Sequence, residues 1–99
     1  MRVWKHEVRE GRVCAIEVPS AAGRGRVTRV VGDLAGVTIL RRPRSFSWLR
    51  EDPFCEFELE GETFEIHEPF GDNSRYWVGK PTFGWTSAFD RVVRAFEQA

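Results

Sequence analysis

Apolar and polar residues alternate with two different periods along the 99-residue chain, and the changes of period mark its elements. From Phe54 to Glu68 the period is two. Cys55, Phe57 and Leu59 alternate with Glu56, Glu58 and Glu60; after Gly61-Glu62, Phe64 and Ile66 alternate with Glu65 and His67. Such alternation predicts a β-hairpin with one apolar and one acidic face. A two-residue turn at Gly61-Glu62 uses Gly61 for the positive φ of a type II′ turn. That register sets Leu59 opposite Phe64 and Phe57 opposite Ile66, and on the other face Glu58 opposite Glu65 and Glu56 opposite His67. Opposed glutamates cost stability unless a cation lies between them. A basic group is therefore expected on this face, from this chain or from another.

Two segments carry the helical period instead. Val27, Val30, Val31 and Leu34 fall at i, i+3, i+4, i+7 and are followed by Gly36 as a C′ residue. Phe89, Val92, Val93 and Phe96 repeat the spacing. Ser87 is placed to cap that helix, and Asp90 and Arg94 to pair on its outer face.

The remaining segments read as strands. Val13 to Val18 alternates, with Cys14, Ile16 and Val18 on one side and Pro19 as its end. Upstream, Trp4, His6 and Val8 share that side if Glu10-Gly11-Arg12 is a three-residue hairpin loop. A two-residue turn at Glu10-Gly11 sets Lys5 beside Ile16, a poorer register. Val37 to Leu40 and Arg75 to Val78 complete the set, and Pro43 to Pro53 is the longest irregular stretch, with room for one helical turn over 45–50. The order β-β-α-β-β-β-β-α predicts a single α+β domain over residues 1–99. Its architecture is one mostly antiparallel sheet with both amphipathic helices on one face.

A hydrophobic fraction of 41%, with eight Phe and four Trp, is enough for a core and excludes a disordered chain. Net charge is zero but unevenly spread: residues 1–50 have a balance of +7 and residues 51–99 of −7. In so short a chain the halves are expected to interleave and neutralise each other. Thirteen of the fifteen basic residues are Arg, which points to a GC-rich, bacterial coding sequence. The first residues form no apolar leader, and no apolar run approaches the roughly 20 residues of a membrane span. A cytoplasmic protein without membrane contact is expected.

Candidate chemistry lies in four places. Arg41, Arg42, Arg44 and Arg50 interleave with Phe46 and Trp48, cations for phosphate and rings for stacking on unpaired bases. The same loop could instead cover the acidic hairpin. Asp72 and Asn73 form a turn leading into Arg75, Tyr76 and Trp77, side-chain types that concentrate binding energy at interfaces. Ser20 to Arg26 holds Gly23 and Gly25 of a Gly-x-Gly pattern beside Arg24 and Arg26, but Thr28 stands where a dinucleotide fingerprint needs its third glycine. Glu56, Glu58, Glu65 and His67 share a strand face that could act in acid–base or metal chemistry; charge there also serves simply to meet water. Cys14 and Cys55 fall on apolar faces and read as reduced core residues.

The order of elements from Val27 to Phe96 is similar to the α-β-β-β-α of double-stranded RNA-binding domains. Those domains place lysines at the start of the last helix, where this chain has Thr86-Ser87-Ala88-Phe89-Asp90. The similarity stops at the order of elements.

These residues favour binding over catalysis. The leading expectation is a protein-interaction domain, self-association included, acting through Arg44–Arg50 and Arg75–Trp77. An RNA- or DNA-binding module using the Arg41–Arg50 segment is the alternative, and an enzyme or ligand-binding domain using the acidic hairpin face is third. No cofactor or metal is called for.

Overall fold

The computed structural model describes residues 1–43, 53–68, 74–82 and 84–99. The expected helical turn over 45–50 lies outside these residues. Six strands, β1 (Trp4–Arg9), β2 (Arg12–Pro19), β3 (Thr38–Arg41), β4 (Cys55–Leu59), β5 (Glu62–His67) and β6 (Arg75–Gly79), are joined with two helices, α1 (Arg24–Gly32) and α2 (Ser87–Gln98). The strands form one sheet in the order β1-β2-β6-β5-β4-β3, antiparallel at every pairing. Both helices pack on one face, giving an α+β fold.

The core is the apolar half of each alternation. Ile16, Val78, Ile66 and Cys55 are cross-strand partners in one row over four strands. Phe57 pairs with Phe64, ring centroids 5.4 Å apart, and Phe64 stacks on Phe89 of α2 at 5.5 Å. Val27 and Val31 of α1 and Val92, Val93 and Phe96 of α2 close the cluster, as their spacing predicts. Each such side chain, fully buried, contributes about 1.5–3 kcal/mol, which is what holds the helices to the sheet.

Several local readings need correction. The β4–β5 turn is Glu60-Gly61, not Gly61-Glu62, because both residues take positive φ, 53° and 77°. A two-residue turn with both centres left-handed matches the strand twist better than a type II′ turn. The register moves by two positions, so the faces are kept while the partners change. Phe57 meets Phe64, Glu58 meets Thr63, and the opposed glutamates are Glu56 and Glu65. In the first hairpin Arg9 pairs with Arg12, leaving Glu10-Gly11 as the loop, and Lys5 pairs with Ile16. Trp4 and His6 therefore face away from Ile16. The cost of that register is lifted because β1 is an edge strand, where Lys5 reaches Glu97 of α2 at 3.2 Å in half-exposed surroundings. Irregular register near Cys14 places Val13 in the core with Ile16 and Val18, while Cys14 Sγ donates to the His6 carbonyl at 3.2 Å.

Helix ends also differ from the reading. α1 begins at Arg24 and stops at Gly32, so Leu34 lies beyond it in a turn that ends at Gly36, φ 82°. Thr86, not Ser87, is the N-cap of α2, in extended conformation. The Asp90 carboxylate accepts from Trp85 Nε1 at 3.2 Å, and Arg94 Nε donates to the Asp90 backbone carbonyl instead of its side chain. Among the described residues four strands, not three, lie between the helices, so the order departs from that of double-stranded RNA-binding domains.

The two halves of opposite charge do interleave. Lys5–Glu97, Arg24–Glu68 and Glu17–Arg75 are ion pairs across the midpoint of the chain. Arg41 of β3 is the register partner of Glu56, which in turn faces Glu65. Arg41 of this chain thus stands in register beside the opposed glutamates, where a cation is expected.

Candidate functional site

Alternation that sends Ile16, Val78 and Ile66 into the core sends their neighbours to the opposite face, on which neither helix lies. One row across that face is Trp4, Glu17, Trp77 and His67, on β1, β2, β6 and β5. The next row is His6, Ala15, Gly79, Glu65, Glu56 and Arg41. Arg75, partner of Pro19, stands one step beyond the first row.

The two smallest side chains of the second row sit beside the largest of the first. Ala15 is fully buried although it faces away from the helices, and Gly79 is buried as well. A Cβ at Gly79 would stand 2.5 Å from Trp77 Cη2 and 2.8 Å from Cζ3. The Trp77 indole therefore lies back along its own strand, flat over Gly79. His67 meets the same indole, with ring centroids 5.0 Å apart and planes tilted by 32°.

Trp4 is held by charge. The Arg75 guanidinium carbon is 3.7 Å from its ring centroid and that of Arg2 is 4.7 Å away. Such contacts contribute about 0.5–1 kcal/mol each at exposed sites and also fix the orientation of ring and guanidinium. Glu17 ties the group to its neighbours, with Oε2 at 3.6 Å from Arg75 Nη1 and 3.0 Å from His6 Nε2. Arginines gather at the Trp4 end of the face, and Glu56, Glu65 and Arg41 occupy the other end, where His67 Nδ1 lies 3.8 Å from Glu65 Oε1. Among the described residues no group of three or more His, Cys, Asp or Glu is arranged to hold a metal ion.

The residues singled out from the sequence are distributed as follows. Arg75 and Trp77 lie together on the helix-free face. Tyr76, between them, points inward and packs edge-on against Phe54 at 5.0 Å. Burial, then the Glu68 carboxylate, pushes its phenol above the ordinary range. Arg41 lies at the acidic end of the face, and Arg42 is exposed beside α1. Arg44, Phe46, Trp48, Arg50, Asp72 and Asn73 lie outside the described residues. Arg2, Trp4 and Glu17 join Arg75 and Trp77 without having been read as a binding group, and His67, read with the acidic hairpin face, lies beside Trp77. Trp4 was legible only through the hairpin register, and a one-residue loop difference reverses its face. Cys55 is buried against Thr28, and its thiol is pushed up by that burial, which makes it a core residue and not a nucleophile.

The fold and this face define an antiparallel-sheet α+β protein with an aromatic and charged surface opposite its helices. Compared with family models, with curated proteins and with solved structures, the chain has a match in none of the three.

Proposed function

We propose that this protein is a non-catalytic interaction module that presents its helix-free sheet face to a protein partner, a second copy of itself included. Trp4, Arg75 and Trp77 are the anchors. The observation that carries the reading is that these three side chains stand half-exposed on β1 and β6, held in place before any partner arrives. Trp and Arg dominate interface hot spots, and an anchor already held in one conformation loses little entropy on binding. Strands also hold such groups more rigidly than loops. The acidic end, with Glu56 and Glu65 around Arg41, adds a charge gradient that fixes a partner's orientation.

The test compares wild type with Arg75→Glu, as baits for affinity capture and then in titrations of whatever protein is captured. Binding is expected to weaken by at least about tenfold, the equivalent of ~1.4 kcal/mol. The thermal midpoint should move little, since Arg75 is a half-exposed partner of a half-exposed ring. A partner held equally by both proteins refutes the assignment of this face. Capture of nucleic acid that disappears with rising salt refutes the protein-partner reading as a whole. A wild-type dimer that the variant dissociates identifies the partner as a second copy.

A further inference from the structure

Two sequence segments that the helix-free face does not use meet at a separate cavity. Arg24 and Gly25 come from the glycine- and arginine-rich start of α1, and Arg42 and Pro43 from the end of β3. Between them, Thr28, Arg29 and Gly32 continue the same flank of α1, and the space enclosed is about 570 Å³. We propose that this cavity binds a small phosphorylated metabolite, with Arg29 and Arg42 as its principal contacts. The proposal is independent of the interaction face, because none of the residues there lines the cavity.

Charge selects the ligand class. Among the described residues, three guanidiniums line the cavity against one carboxylate, that of Asp33. Glu68 holds Arg24 through Nε and Nη2 at 3.0 and 2.8 Å, and the Phe54 ring lies 5.1 Å from its guanidinium carbon. Arg24 is thus fixed in place and its charge largely offset. The net attraction comes from Arg29 and Arg42, both exposed and brought from different elements. Guanidinium forks match phosphate oxygens in pairs, which favours phosphate over a single carboxylate.

The helix supplies room and backbone donors. Among the described residues, a Cβ on Gly25 would meet nothing within 4 Å and one on Gly32 only Ile39, at 4.0 Å, so α1 itself presents little bulk on this flank. Gly25 lies in the first turn, where amide N–H groups have no intrahelical acceptor, and among the described residues no side chain caps α1. Those amides and the positive end of the helix dipole favour an anion at the Arg24–Gly25 end of the cavity, while Gly32 and Asp33 set the negative end at the other. The floor is closed by Thr28, 4% exposed, whose hydroxyl donates to the Arg24 carbonyl at 2.8 Å. A volume in the range of roughly 300–1,000 Å³ suits a mononucleotide-sized ligand.

Amide chemical shifts of labelled protein would be followed during titration with inorganic pyrophosphate and with AMP, at constant ionic strength maintained by chloride. Saturable shifts are expected at Gly25, Thr28, Arg29 and Gly32, with a Kd below about 1 mM. Arg42→Glu and Arg29→Glu, both substitutions of exposed side chains, should each weaken binding by at least about tenfold, ~1.4 kcal/mol of lost contact. Arg75→Glu, on the other face, should change nothing. Shifts that do not saturate, or that survive both charge reversals, overturn the proposal. A short single-stranded oligonucleotide that moves these amides while pyrophosphate and AMP do not would also overturn it, by assigning the arginines to a nucleic-acid backbone.

Discussion

Gly79→Ala is the sharpest probe of the helix-free face, because its sign depends on a single ring. Gly79 has no positive φ, so alanine is compatible with its backbone. By itself the change should stabilise by about 0.4–1 kcal/mol through the unfolded chain. The added methyl, however, would sit 2.5 Å from Trp77 Cη2 and force the indole off the strand. A buried tryptophan covers about 150–250 Å². Half of that, at ~25 cal/mol per Å², is about 2–3 kcal/mol. The net expectation is a loss of about 1–2.5 kcal/mol. Urea denaturation followed by circular dichroism gives the stability, and the Trp77 indole resonance reports the ring. In a Trp77→Ala background the same Gly79→Ala change should reverse sign and stabilise. A neutral or stabilising effect in the wild-type background, with the indole resonance unmoved, would refute the packing of Trp77 on Gly79.

The remaining predictions concern turns, pH and the proposed anchors. Glu60→Asn should stabilise by about 0.5–1 kcal/mol in urea denaturation, because asparagine tolerates the φ of 53° that glutamate occupies there. The exposed Arg91–Glu60 pair it removes is worth little. Gly61→Ala, at φ 77°, should cost about 1–2 kcal/mol in the same assay. Burial raises both Cys55 and Tyr76 in the folded state, so their contribution is complete below the ordinary values of 9.0 and 10.0 and is lost as pH rises through the folded ones. Stability should therefore fall on the alkaline side, and Cys55→Ala with Tyr76→Phe should flatten that fall; an alkaline profile unchanged in the double variant refutes the assignment. Arg75→Glu should also expose Trp4, seen as a red shift of its emission in a variant where the other three tryptophans are phenylalanine.

Much of this architecture follows from local pattern. The spacing of Phe89, Val92, Val93 and Phe96 specifies the face of α2, and the alternation through Phe57 and Ile66 specifies the faces of β4 and β5. Faces survive a two-residue shift in register, so an incorrect turn at Gly61 still left every hairpin side chain on its proper side. The first hairpin had no such protection. There a difference of one residue decides whether Trp4 enters the core, and the decisive fact, that β1 lies at a sheet edge, is not local. The pairing of Arg41 with Glu56 and the meeting of Arg24 with Arg42 depend on strand order and on the return of β3 beside α1. No periodicity carries that information. Tyr76 and Trp77 were separable in principle, since adjacent strand residues cannot both face one side.

The place of β6 in the sheet has a consequence for how the chain assembles. It is the seam between two halves, the β1–β2 hairpin and the β3–β4–β5 meander, which have no strand pairing with each other. Joining it to β2 closes a loop over residues 20–74, at an entropic cost of about 3–4 kcal/mol before any contact is gained. Pairings within each half are local in sequence, whereas the join depends on residues 75–79. Without β6 two strand edges stand open, one on β2 beside Ile16 and Val18 and one on β5 beside Ile66. β6 covers both at once, so a substitution that loosens this one strand opens two edges to pairing with other chains.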